Sequence, residues 1–201
     1  MVLGAKLIKQ LGIKICETSR ETLCTKLCCL VLLSIFLTSC TKLSEEEAAL
    51  AQFTDKYVQS IEKEYGFDLF AQGCSMPEKI EWITVMFITD APENVEGARR
   101  IVVPIVLQLI QDMNNDINLR PHLAEYPATL KNVKLTIIFQ KQWEGRDNPN
   151  RYINSVMVIG RKGTIYYDLY NEKCTMLVDY YQEPFEVAEQ ILEQEAKQQV
   201  P

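Results

Sequence analysis

Between Leu50 and Tyr65 the apolar side chains fall at Leu50, Phe53, Tyr57, Ile61 and Tyr65. That three-and-four spacing lines one face of an α-helix. Ser44 precedes the stretch and Glu47 stands three residues on, the pattern of a capping box, in which each side chain satisfies the other's backbone N–H. Gly66 is placed to end the helix. The pattern then changes period. After a segment read as loop (67–77), "KIEWITVMFITD" is rich in β-branched and aromatic residues and predicts a strand over 79–89. Asp90-Ala-Pro-Glu93 repeats a capping pattern, and Pro92 suits a first helical turn. Helical spacing continues to about Asn118, with Ala98, Ile101, Val102, Ile105, Leu109 and Met113 on one face. Pro104 sits on the opposite face and should bend the helix rather than end it. Val103, Val106 and Leu107 widen the apolar stripe, so this helix is expected to be covered by both other helices, the alternative being that it meets a partner.

Four more strands are predicted at 133–143, 152–160, 164–170 and 174–180. "EGRDNPN", "GRKG" and "NEK" supply the turns between them. A last helix opens at Pro184, with Val187, Ile191 and Leu192 inside. The element order is α-β-α-β-β-β-β-α. Strands joined by short turns must run antiparallel. The fold class is therefore α+β: a five-stranded, mostly antiparallel sheet with helices packed on one face. Tyr166, Asp168 and Tyr170 alternate onto one face of that sheet, and Ile165, Tyr167 and Leu169 onto the other. The second set should meet the helices. The first should lie open, with neighbours such as Thr136 and Asn154, and a Tyr-bearing face suits peptide or glycan contacts. The simpler reading is that Tyr is a good strand former.

The amino-terminal part has a different character. From Cys29 to Cys40, "CLVLLSIFLTSC" carries no charge. A membrane-spanning helix needs ~20 apolar residues. Here Lys26 closes one end and Lys42 to Glu47 the other, so the run has about half that length, as in the apolar core of a secretory signal. The chain's 201 residues carry a net charge of −6. The first 39 hold five of the 21 basic residues and two of the 27 acidic ones, which leaves residues 40–201 at −9. That balance, with no block of Lys and Arg, disfavours a nucleic-acid partner.

Leu37-Thr38-Ser39-Cys40 resembles the lipobox of bacterial lipoprotein precursors: an aliphatic residue, two small residues and a cysteine. The resemblance implies a diacylglyceryl group on the Cys40 thiol, cleavage after Ser39, and a mature protein that begins at Cys40. Residues 1–39 are then a signal peptide and residues 40–201 one α+β domain held to a membrane through Cys40. Several acyl chains make such an anchor durable where one does not. Thr41, in place of the aspartate that marks inner-membrane retention in Gram-negative members of the class, implies the outer membrane. The stretch "NLRPHLAEYPATLKNVKLTIIF" also resembles bacterial exported proteins to which no role is assigned.

Chemistry is sparse. His122 is the chain's single histidine, and HExxH, GxSxG, Walker and GxGxxG patterns are absent from the sequence. No metal or cofactor is expected. His122 lies between prolines in "RPHLAEYP", where fixing the turn or plain exposure is the expected role. With Cys40 acylated, two cysteines remain, Cys74 and Cys174. In an oxidising compartment they could bridge, the alternative being two separate thiols. Trp143 and Arg151 flank the longest turn and Arg146 lies within it, and Trp and Arg often anchor protein interfaces, the alternative being a Trp folded back onto the sheet edge. With Tyr166 and Tyr170 they are the expected partner contacts. The functional expectation is a non-catalytic, lipid-anchored binding or structural module of the bacterial envelope, with an envelope protein as partner. The alternative is an envelope hydrolase using paired carboxylates or a Cys–His dyad.

Overall fold

The computed structural model describes residues 43–139, 153–170 and 177–198. The chain divides into two units, Met1–Lys42 and Leu43–Pro201. In the second unit three helices, α1 (Glu45–Tyr65), α2 (Val95–Asn115) and α3 (Phe185–Gln198), accompany one sheet. Its strands are β1 (Asp68–Ser75), β2 (Trp82–Thr89), β3 (Val133–Phe139), β4 (Ile153–Ile159), β5 (Thr164–Tyr170) and β6 (Leu177–Pro184), and they lie side by side in chain order. Every neighbouring pair is antiparallel except β2 and β3, which the α2 crossover makes parallel. A parallel pair needs a long connection of that kind.

The sheet has six strands where the sequence predicts five. The extra one, β1, occupies a stretch expected to be loop. "DLFAQGCS" has no β-branched residue and carries a glycine, so local propensity argues against it. Backbone pairing with β2 holds it in register from Asp68↔Ile88 to Ser75↔Trp82, with a bulge between Leu69 and Ala71. The last strand also departs from expectation. It runs to Pro184, and α3 begins one residue later at Phe185. Pro184 has no N–H to give a ladder, and it sits at the strand's end, where none is required.

The capping box at α1 is complete: Glu47 N–H donates to Ser44 Oγ (3.2 Å) and Ser44 N–H to a Glu47 carboxylate oxygen (2.9 Å). Gly66 ends the helix at φ 69°, in the left-handed region that glycine enters without strain. Helix α2 starts later than expected. Asn94 is its N-cap, accepting from Gly97 N–H at 2.9 Å, and Pro92 lies before the helix. The preceding turn is pinned to the sheet, because Glu93 C=O accepts from Ile153 N–H at 2.8 Å. The helix runs unbroken through Pro104 to Asn115. Of its predicted inner face, Ala98, Val102, Ile105, Leu109 and Met113 are fully buried and Ile101 only partly. Val103 and Val106 are buried too, while Leu107 faces outward.

All three helices lie on one side. Tyr57 of α1 donates to Ile105 C=O of α2 (2.9 Å), and Arg100 of α2 pairs with Glu195 of α3 (3.0 Å). Beneath them Ile83, Val85, Phe87, Leu135, Ile137, Val156, Val158, Ile165 and Tyr167 form the sheet's buried face. The alternation predicted for β5 therefore holds: Ile165, Tyr167 and Leu169 point to the helices.

Candidate functional site

The buried face holds one charged network. Arg99 sits on α2 one residue from the inner stripe, and Glu183 on β6 points to the same side. The Arg99 Nε and Nη2 groups donate to the two oxygens of Glu183 at 2.8 and 3.0 Å. Tyr167 O–H donates to Glu183 Oε1 at 2.6 Å. The side chains of Arg99 and Glu183 are only 9% and 3% exposed. A planar guanidinium opposite a carboxylate gives the strong two-bond geometry. The bonds from Glu183 hold the Arg99 guanidinium more firmly protonated than usual. Burial, then the bond to Glu183, pushes the Tyr167 phenol far above its ordinary range, so it stays a donor.

Above this network a cleft of about 420 Å³ opens between the start of α2 and strands β5 and β6. Asn94, Val95, Glu96, Arg99, Leu169 and Tyr181 line it. Tyr181 packs its ring on Tyr167 (5.7 Å between centroids) and remains 44% exposed. A second cleft, about 440 Å³, lies between α1 and α2 and includes Tyr57, Ser60, Gln108, Asp112 and Asp116. Burial raises the Asp112 carboxyl above its usual range.

The sheet's other face carries no helix among the described residues. Registered rows cross it: Met86, Thr136, Met157, Tyr166, Gln182, and beside them Thr84, Lys134, Ile159, Thr164. Trp82, Met86, Ile88, Ile138, Met157, Ile159 and Tyr166 on this face are all half-exposed. Lys162 lies over the Tyr166 ring (5.7 Å), and Arg161 stacks on Trp82 (3.9 Å) while pairing with Glu81 (2.9 Å). Ser155 donates to Asp168. Tyr166 and Thr136 thus occupy the face assigned to them, but Thr136 is buried there rather than open. Four other predicted site residues, Cys40, Trp143, Arg146 and Arg151, lie outside the described residues, as does the side chain of Tyr170.

Cys174 is outside them too. Cys74 is exposed on β1, at the opposite edge of the sheet from β6, whose first residue Leu177 stands three residues after Cys174. Burial, and secondarily the charge of Glu47, raises the Cys74 thiol above its usual range. His122 is half-buried in a turn, where its backbone C=O accepts from Ile80 N–H at 2.8 Å and its backbone N–H donates to Leu119 C=O at 3.0 Å. Its ring Nδ1 lies 3.6 Å from Glu46 Oε1.

No family model, curated protein or solved structure matches the chain. Among the described residues no helix is long and apolar enough to cross a membrane, and no cluster of three or more His, Cys, Asp or Glu side chains is arranged to hold a metal ion.

The Arg99–Glu183 pair was not foreseen from the sequence. One signal was present: Arg99 sits between Ala98 and Val102 at the margin of an apolar stripe, and a charge there needs a partner. Nothing local pointed to Glu183, 84 residues away.

Proposed function

We propose that residues 40–201 form a non-catalytic binding module, held at a bacterial envelope membrane by acyl chains on Cys40, whose open sheet face docks a protein partner. The anchor rests on the lipobox-like Leu37-Thr38-Ser39-Cys40 at the end of an apolar run too short to span. The outer membrane is its proposed site, from Thr41. The observation that carries the binding role is the open face. Trp82, Met86, Ile138, Met157, Ile159 and Tyr166 are half-exposed on one face of adjacent strands, on either side of the buried Thr136 and Ser155. Apolar surface rimmed by polar groups marks interaction sites, and Trp, Tyr and Met are enriched in interface cores. Lys134, Arg161 and Lys162 at one end and Asp168 at the other supply the polar rim.

The partner that fits is a protein presenting its own apolar face, such as an amphipathic helix laid across the strands. Met157→Glu places a charge at the centre of the surface. It should abolish capture of that partner from solubilised envelopes while leaving the protein folded, because the side chain is half-exposed. Capture at wild-type level by this variant would refute a binding role for the sheet face. Blocking the lipoprotein signal peptidase tests the anchor separately: it should accumulate uncleaved chain, and unchanged processing would refute acylation at Cys40.

A further inference from the structure

The cleft above Arg99 lies on the helix side of the sheet, away from the face assigned to the protein partner, and its lining is of another kind. We infer that it binds a neutral saccharide. Its volume of about 420 Å³ falls within the ~300–1,000 Å³ of small-molecule sites. One wall is the Tyr181 ring, 44% exposed and braced from behind by Tyr167. Leu169 and Val95 add apolar surface beside it. Among the described residues, three planar polar groups join the lining: Arg99, Asn94 and Glu96.

Each group has hydrogen-bonding capacity left for a ligand. Arg99 uses Nε and Nη2 on Glu183, and its Nη1 has no acceptor among the described residues. Asn94 spends its carbonyl oxygen on Gly97 N–H, which leaves its NH₂ to donate. Glu96 is exposed on the first turn of α2 and only accepts.

Charge selects the class of ligand. Glu183 cancels Arg99 at close range, and Glu96 adds a negative charge, so the described side chains offer an anion no net positive charge, only the start of α2. A cation would meet the Arg99 guanidinium. A ligand that is uncharged, donates and accepts through several groups, and has a flat apolar face to lay on an aromatic ring satisfies the described lining. A sugar ring has those properties: hydroxyls around its edge and C–H groups on its face.

Saturation-transfer NMR on the full chain tests this, in a detergent without a sugar headgroup, with two neutral probes, maltotriose and the trimer of N-acetylglucosamine. At least one should receive saturation at its ring protons. Tyr181→Ala should weaken that binding by about tenfold, the worth of one aromatic contact, and Tyr181→Phe should retain it. Glu96→Ala, at an exposed helix position, should also weaken binding without altering the melting temperature, so the inference does not hang on how well the Tyr181→Ala chain folds. Transfer to neither sugar would overturn the assignment. So would binding undiminished in both the Tyr181→Ala and Glu96→Ala chains, or displacement of the sugar by acetate at equal concentration, which would make the cleft an anion site.

Discussion

Replacing Glu183 by Gln keeps the side chain's volume and removes its charge, which leaves Arg99 buried without a counter-ion. Arg99 is 9% exposed and gives two hydrogen bonds, at 2.8 and 3.0 Å, to Glu183, itself 3% exposed. With so little solvent at either partner, screening does little to soften the loss. Breaking a buried pair from one side costs about 3–5 kcal/mol. For a domain of this size each kcal/mol lowers the melting temperature by about 2–4 °C, so Glu183→Gln should melt roughly 10 °C below wild type. Tyr167→Phe removes one bond to the carboxylate and leaves both from Arg99, so about 1.5 kcal/mol is expected, the low end for a bond to a charged group. The paired change Arg99→Met with Glu183→Leu removes both charges together and should recover most of the loss, because the cost lies in the unpaired charge rather than in the absent attraction. Thermal and urea unfolding monitored by circular dichroism measures all three. A Glu183→Gln protein melting within about 2 °C of wild type would refute the reasoning, as would a double variant no better than the worse single one.

Three further outcomes are expected at other sites. Burial raises the Asp112 carboxyl, so its ionised form is less favourable in the folded chain than in the unfolded one. Stability is lost as pH rises through that raised value, and Asp112→Asn should therefore raise the melting temperature at neutral pH, with the gain vanishing below the ordinary aspartate range. Gly160 leaves no room for a Cβ, which would collide with the Leu130 and Val133 carbonyls. Gly160→Ala should destabilise by about 1–3 kcal/mol in urea unfolding, and a neutral result would mean that the turn shifts freely. Cys74 is exposed on β1, five strand spacings from β6, about 24 Å along the sheet, while the three residues from Leu177 back to Cys174 reach ~10 Å. Cys74 should accordingly react with maleimide under denaturing, non-reducing conditions in protein isolated without reductant. Full protection there, relieved by reductant, would establish the bridge to Cys174 that cysteine counting suggests.

The parts of the fold legible in the sequence are those whose signal is local. The Ser44–Glu47 box, Gly66 and the inner stripe of α2 each declare themselves within a few turns of chain, and the alternation in "TIYYDLY" sorts β5 onto two faces without reference to anything else. β1 was not legible. What makes "DLFAQGCS" a strand is the neighbouring β2 backbone, and pairing of that kind leaves no mark on the composition of the paired segment. The end of β6 was obscured by Pro184, which reads as a helix opener and serves as the last residue of a strand. The open face was readable from Tyr166 and Asp168, but its extent came from the register that aligns Met86, Thr136, Met157 and Tyr166. The cleft was invisible because Arg99 and Tyr181 meet only when β6 closes the far edge of the sheet.

Photo-crosslinking in living bacteria tests the proposed docking role of the anchored domain most directly. A benzophenone amino acid at Met157, on the open face, is compared with one at Gln111, on the exposed side of α2. One discrete protein adduct is predicted from position 157, absent from position 111, on a chain whose intact mass shows residues 1–39 removed and acyl groups at Cys40. Equal crosslinking from both positions, or an adduct on an unprocessed and unacylated chain, would contradict that role.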